Sequence, residues 1–198
     1  MQPSEAYLWL KQAERRQNVL IRLTQPMTAN QLARQTRLSR DCCSAALWEL
    51  ATHRLTTCLN PHARSSRLYW LTQPGKACQR RLYRERGLGI PVSLLPDLDW
   101  ALYGWVCFRH RATVIRALTE PLQPAAIKHR ARARDPNVRL SANNVRDVIR
   151  LFAAKGIVRP VRVRRKAHLR YELTELGLTF QRLLVSAEAM PSHQRSVP

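Results

Sequence analysis

Two stretches of this chain repeat each other, so any fold it adopts is built from two copies of one small unit. Leu47, Leu50, Leu55, Tyr69, Leu71, Thr72 and Gly75 recur without a gap 102 positions later as Ile149, Phe152, Ile157, Tyr171, Leu173, Thr174 and Gly177. Upstream, Val19, Leu20 and the run Leu23-Thr24-Gln25-Pro26-Met27 recur 95 positions later as Val114, Ile115 and Leu118-Thr119-Glu120-Pro121-Leu122. The difference between the two spacings gives the second copy seven extra residues, placed after the equivalent of Arg34 and before Ser141. With 198 residues, 45% of them hydrophobic, the chain is long enough for two modules of about 80 to 90 residues, each burying a modest core.

In the first copy, Leu8, Ala13, Leu20 and Leu23, with Tyr7 and Trp9, predict a helix over 5–23 that Pro26 ends. Thr28 is the expected N-cap of a short helix over 28–35. A tight turn at Thr36-Arg37-Leu38 follows, and Ser39 then caps a third helix from Arg40 to about Arg54. Cys43, Ala46, Leu47, Leu50 and Ala51 fall on one face of that helix. Two short helices across a tight turn are a helix-turn-helix signature. Strands are expected over 55–59 and 68–72, joined by a polar loop over 60–67 that carries Arg64 and Arg67, and a closing helix runs from Gln73 to about Arg86.

The second copy repeats that order. A helix is expected over 99–118 and a short one over 124–129, followed by an extended connector Arg130-Ala131-Arg132-Ala133-Arg134 suited to lying on phosphates. A third helix over 142–155 is capped by Ser141 and stopped by Gly156. Strands follow over 157–163 and 169–174, then a closing helix over 175–188. The predicted organisation is a winged-helix domain over 1–86, a linker over 87–98, a second winged-helix domain over 99–188 and a flexible tail over 189–198. The fold class is α+β, mainly α: two tandem winged helix-turn-helix domains.

The phrase Arg170-Tyr171-Glu172-Leu173-Thr174-Glu175-Leu176-Gly177 resembles the second wing strand and following turn of the winged helix-turn-helix modules in prokaryotic transcription regulators of the MarR and PadR type. Leu68-Tyr69-Trp70-Leu71-Thr72-Gln73-Pro74-Gly75 is its weaker copy, and the resemblance spans about four fifths of the chain. It implies a DNA-binding fold whose third helix enters the major groove. The tandem arrangement departs from the homodimeric geometry usual in that family, and winged helices also serve as protein-docking modules.

Charge narrows the partner. The chain has 34 Lys plus Arg against 13 Asp plus Glu, a net charge of +21, which points to a polyanion. Only Lys11, Lys76, Lys128, Lys155 and Lys166 are lysines. Arginine pairs bidentately with phosphate and with guanine, so the bias favours nucleic acid. Residues 128–170 hold 14 basic side chains against Asp135 and Asp147, a net of +12 in 43 residues.

Aligning the two third helices separates core from surface. Cys43 matches Val145, Leu47 matches Ile149 and Leu50 matches Phe152, which leaves Arg40, Asp41, Ser44, Ala45 and Trp48 outward in copy one. Asn143, Asn144, Arg146, Asp147 and Arg150 are left outward in copy two. Asn pairs with adenine and Arg with guanine, so the second set can read base edges. Trp48 suits either a thymine methyl or a protein contact. The expected DNA-binding residues are Arg40, Ser44, Trp48, Arg64, Arg67, Arg130, Arg132, Arg134, Asn143, Asn144, Arg146 and Arg150. The second wing adds Arg162, Arg164, Arg165, Lys166 and Arg170, suited to the backbone or the minor groove.

No catalytic constellation, metal-ligand spacing or cofactor motif stands out, which points to a binding protein and not an enzyme. Five cysteines without CxxC spacing fit reduced thiols in the cytoplasm, and the absence of an apolar run of about 18 residues argues against a membrane partner. The expected role is a sequence-specific, nucleoid-associated double-stranded DNA-binding protein that regulates transcription. Competing roles are a plasmid or phage replication or maintenance initiator, and an architectural or assembly protein with one winged helix docked on a protein partner or a second copy. RNA stays open as a partner, since phosphate-directed Arg serves both polymers.

Overall fold

A computed structural model describes residues 3–91, 95, 97–161 and 168–188. Among these the order is α1 (Pro3–Lys11), α2 (Glu14–Arg22), α3 (Ala29–Thr36), α4 (Arg40–Thr52), β1 (Thr56–Cys58), β2 (Tyr69–Leu71) and α5 (Gln73–Glu85). Then come α6 (Trp100–Val106), α7 (Arg109–Ala117), α8 (Pro124–Arg134), α9 (Ala142–Ala154), β3 (Val158–Val161), β4 (Arg170–Leu173) and α10 (Glu175–Ser186). The class is α+β and mainly helical. Each sheet is one antiparallel hairpin, with Thr57 opposite Trp70 in the first and Arg159 opposite Glu172 in the second.

Packing divides the chain into one compact unit running to Trp105 and rejoined from Ala187, and a second over Val106–Ser186. The division falls later than residues 87–98 because part of α6 packs with the first unit. A Cβ on Gly104 would sit 2.2 Å from the Asn60 amide nitrogen and 3.3 Å from Leu68.

The long first helix expected in each copy is two shorter ones. α1 and α2 are separated at Ala13, which is extended at φ −140° and ψ 118°. α6 ends at Val106 and α7 starts after Phe108, at φ −64° and ψ 139°. Ala13 and Phe108 are 95 residues apart, so the break belongs to the repeat. In the first unit, α1 buries Ala6, Tyr7 and Leu10, whereas α2 buries Val19, Leu20 and Ile21. The run Lys11-Gln12-Ala13-Glu14-Arg15 between them has no apolar stripe to hold one continuous rod against the core. Gln17 Nε2 donates to the Lys11 carbonyl at 3.1 Å, satisfying an acceptor at the end of α1.

Within each unit the repeated residues make the same bonds. Gln79 donates from α5 to the carbonyls of Leu20 and Leu23 at 2.6 and 3.0 Å, and Gln181 donates from α10 to those of Ile115 and Leu118 at 2.7 and 3.0 Å. Each glutamine thus ties the closing helix to carbonyls at the C-terminus of an earlier helix, where the intrahelical i+4 donors run out. Met27 exchanges backbone hydrogen bonds with Tyr69, and Leu122 does so with Tyr171, adding a short third rung beside each hairpin.

The recurring Thr and Gly have one explanation. Thr72 Oγ1 donates to the Arg54 carbonyl at 2.6 Å and accepts from Gly75 N at 3.2 Å; Thr174 Oγ1 does the same with Gly156 and Gly177 at 2.6 and 3.2 Å. That bond draws the first turn of the closing helix onto the strand entry. A Cβ on Gly75 would lie 1.9 Å from the Leu55 carbonyl oxygen, and one on Gly177 2.2 Å from that of Ile157. Only glycine fits either place.

The seven extra residues of copy two are also located. α8 has 11 residues where α3 has 8, which accounts for three. The other four lie in the connector, which is 135–141 in copy two and 37–39 in copy one.

Candidate nucleic-acid interface

The third helix of each unit is set by its cap and its buried stripe. Asn144 N donates to Ser141 Oγ at 3.0 Å, and Cys42 N donates to Ser39 Oγ at 3.1 Å. α9 buries Val145, Val148, Ile149 and Phe152; α4 buries Cys43, Ala46, Leu47 and Leu50. Helical geometry then turns Asn143, Asn144, Arg146, Asp147 and Arg150 outward on α9, and Arg40, Asp41, Ser44, Ala45 and Trp48 outward on α4, all of them exposed.

The α9 face is an ordered row of donors and acceptors. Arg146 Nη1 donates to Asn143 Oδ1 at 3.2 Å, and Arg150 Nη1 donates to Asp147 Oδ1 at 3.2 Å. Asn144 Oδ1 accepts from Ser141 Oγ. These are exposed side-chain contacts between neighbouring turns, readily exchanged for contacts to another molecule. An open groove of about 600 Å³ runs beside this face. Its lining includes Ile149, Ala153, Pro160 and Tyr171, together with Arg146 and Arg150.

No family model, curated protein or solved structure matches this chain. The site therefore rests on its own geometry.

The α4 face differs. Arg40 donates from Nε and Nη2 to Asp41 Oδ1 at 3.1 and 3.0 Å, so its one Arg is locally paired. Trp48 stands where Arg150 stands in copy two and is 66% exposed. On the side of α4 nearer the first helices, Glu49 pairs with Arg15 and Arg16. The Arg16 guanidinium lies 3.9 Å over the Trp9 ring, which stacks on His53 at 3.7 Å. That side is closed by a stack of its own side chains.

The Arg130–Arg134 segment is not extended. α8 continues through it, because Ile127 and Ala131 lie one turn apart and are both buried, and Ala and Arg are strong helix formers. Arg130 is committed to Thr119 and Glu120, and Arg132 Nη2 donates to the Leu140 carbonyl at 3.0 Å. Arg134 is exposed at the helix end.

In the first hairpin, Arg64 and Arg67 are exposed, and Arg67 Nε donates to the Ala63 carbonyl at 3.1 Å. Buried Asn60 organises that loop: its Oδ1 accepts from Leu68 N at 2.7 Å and its Nδ2 donates to the Ser66 carbonyl at 3.2 Å. In the second hairpin, Arg170 is exposed on β4 opposite Val161. Arg162, Arg164, Arg165 and Lys166 lie outside the described residues, as does the tail 189–198.

Arg139 and Arg159 are exposed cations that the sequence-based set did not include. Arg139 lies two residues before the Ser141 cap, and Arg159 on β3 pairs with Glu172 at 2.6 Å. The short distance from Arg139 to a helix cap was the signal that marks it. Cys42 is exposed, whereas burial pushes the Cys43 thiol up, with the Thr36 hydroxyl opposing the shift. Among the described residues no group of His, Cys, Asp or Glu gathers in metal-binding geometry, and no helix is long and apolar enough to cross a membrane.

Proposed function

We propose that this protein binds double-stranded DNA sequence-specifically, as two tandem winged helix-turn-helix domains, and regulates transcription in the cytoplasm at the nucleoid. The observation that carries the reading is the outward face of α9. Asn143, Asn144, Arg146 and Arg150 stand exposed on one capped helix, within a segment of net charge +12 over 43 residues. Asn and Arg are the side chains that pair bidentately with adenine and guanine in the major groove. The basic hairpin residues supply phosphate contacts, which set register and not sequence. Six to eight neutralised phosphates give a log-log salt slope of roughly −5 to −7.

Copy one carries a second reading. Its α4 face offers a 66% exposed Trp48 and an Arg already paired with Asp41, which favours docking on a protein or on a second copy over base reading. An architectural or assembly role follows from that arrangement.

Selection from a random duplex pool at about 150 mM salt, with RNA and single strands as competitors, tests the function. Two half-sites about 10 base pairs apart support two readers. A single half-site leaves copy one as the docking module, and no enrichment refutes sequence-specific duplex binding.

A further inference from the structure

Asp147 is one of the two acidic side chains in the strongly basic segment 128–170. Its neighbour in that segment, Asp135, has a place in the fold: its Oδ1 accepts from Asn137 N at 3.1 Å in the turn after α8. Asp147 has no such place. It is the sixth residue of α9, beyond the first turn where the helix dipole favours a carboxylate. Its partner is Arg150, at 3.2 Å, and the two side chains are 64% and 79% exposed. An exposed pair of this kind contributes little to stability. A carboxylate here also repels phosphate, and the equivalent position in copy one is Ala45, so the helix does not require it.

We propose that Asp147 is a specificity-determining residue that selects a C·G base pair within the copy-two half-site, an inference resting on the duplex-DNA reading above. In the major groove cytosine presents an amino donor and guanine presents the acceptors O6 and N7. Asp147 is acceptor-only and Arg150 is donor-only, and they project side by side from one face of α9. That order of acceptor beside donor complements a C·G step. Adenine is disfavoured at the carboxylate because its N7 acceptor lies beside the amino group and repels it. Asn143 and Asn144 lack this discrimination, since an amide both donates and accepts, and Arg146 is donor-only and so cannot accept from the cytosine amino group. The same carboxylate lowers affinity for indifferent duplex, so Asp147 trades general binding for selectivity.

The test is duplex selection with the full chain as wild type, Asp147→Asn and Asp147→Ala, with thermal melting to confirm that the variants are folded. The wild type yields a motif with one strongly preferred C·G position. Asp147→Asn shifts that position towards A·T, because an amide matches adenine N6 and N7. Asp147→Ala flattens it, with roughly a tenfold loss of discrimination. Asp147→Ala also binds random duplex more tightly, and its salt slope steepens by about 0.9 as Arg150 is released to a phosphate. A motif identical in all three proteins overturns the role of Asp147 and leaves duplex binding intact. Absence of any motif in the wild type overturns the duplex reading itself, and this inference with it.

Discussion

Gly177→Ala is the most direct test of how the closing helix is seated. Gly177 is the third residue of α10, and a Cβ there would lie 2.2 Å from the Ile157 carbonyl oxygen and 3.0 Å from a Leu173 methyl. Relief requires the carbonyl to withdraw by about 1 Å, a forced overpacking that costs about 1–3 kcal/mol. The same oxygen accepts from Thr174 N at 3.1 Å and from Thr174 Oγ1 at 3.2 Å. Loosening that pair removes about 1 kcal/mol more. Alanine's higher helix propensity offsets about 1 kcal/mol. The net loss is about 2 kcal/mol, which for a unit the size of Val106–Ser186 lowers its Tm by roughly 8–16 °C. Differential scanning calorimetry of the full chain measures it. Gly156→Ala is the companion: at φ +67° with open space around it, it loses only about 1 kcal/mol of backbone energy. A Tm for Gly177→Ala at or above wild type would refute the close approach, because propensity alone would then be acting.

Arg54 occupies the place of Gly156 at φ 59°, so Arg54→Gly should stabilise the first unit by about 1 kcal/mol in denaturant unfolding. Burial, and then the Glu85 carboxylate, raise the Tyr7 hydroxyl from 10.0 to about 12. A folded value above the unfolded one means this contribution is complete below pH 10 and is lost as pH rises towards 12. Tyr7→Phe should therefore flatten the fall in stability across that window relative to wild type, measured by urea titration at each pH. Arg146→Ala should relax sequence preference in competition binding, whereas Arg164→Ala should weaken all duplexes alike and reduce the salt slope by about one; an unchanged preference in Arg146→Ala removes α9 as the reading face.

Much of the helix-and-hairpin order was legible because its signals are local. Thr28, Ser39 and Ser141 are caps by side-chain chemistry alone, and the capping box of Thr28 with Gln31 is present as the spacing allows. The stripes of α4 and α9 follow from helical periodicity, so the outward residues could be named without coordinates. The Thr and Gly of each copy were visible as a pattern, but their reason was not. It lies in a carbonyl about twenty residues upstream that the closing helix presses against. The breaks at Ala13 and Phe108 were invisible for a related reason: neither carries Pro or Gly, and the chain bends there because successive helices bury different stripes.

The sequence by itself determined the duplication, the caps, the buried stripes and the cationic excess, since each depends on residues within a few turns of one another or on simple counting. Only the tertiary structure decided which cations stay available. Arg130 and Arg132 looked equal to Arg134 in an alternating run, yet burial of Ile127 and Ala131 coils that run into α8 and turns two of the three towards Glu120 and the Leu140 carbonyl. Asn60, polar and apparently a loop residue, became the buried centre of the first hairpin. Local propensity selects an element. Where that element ends, and which charges it consumes, is set by apolar burial and by backbone groups that must find partners across long separations in the chain.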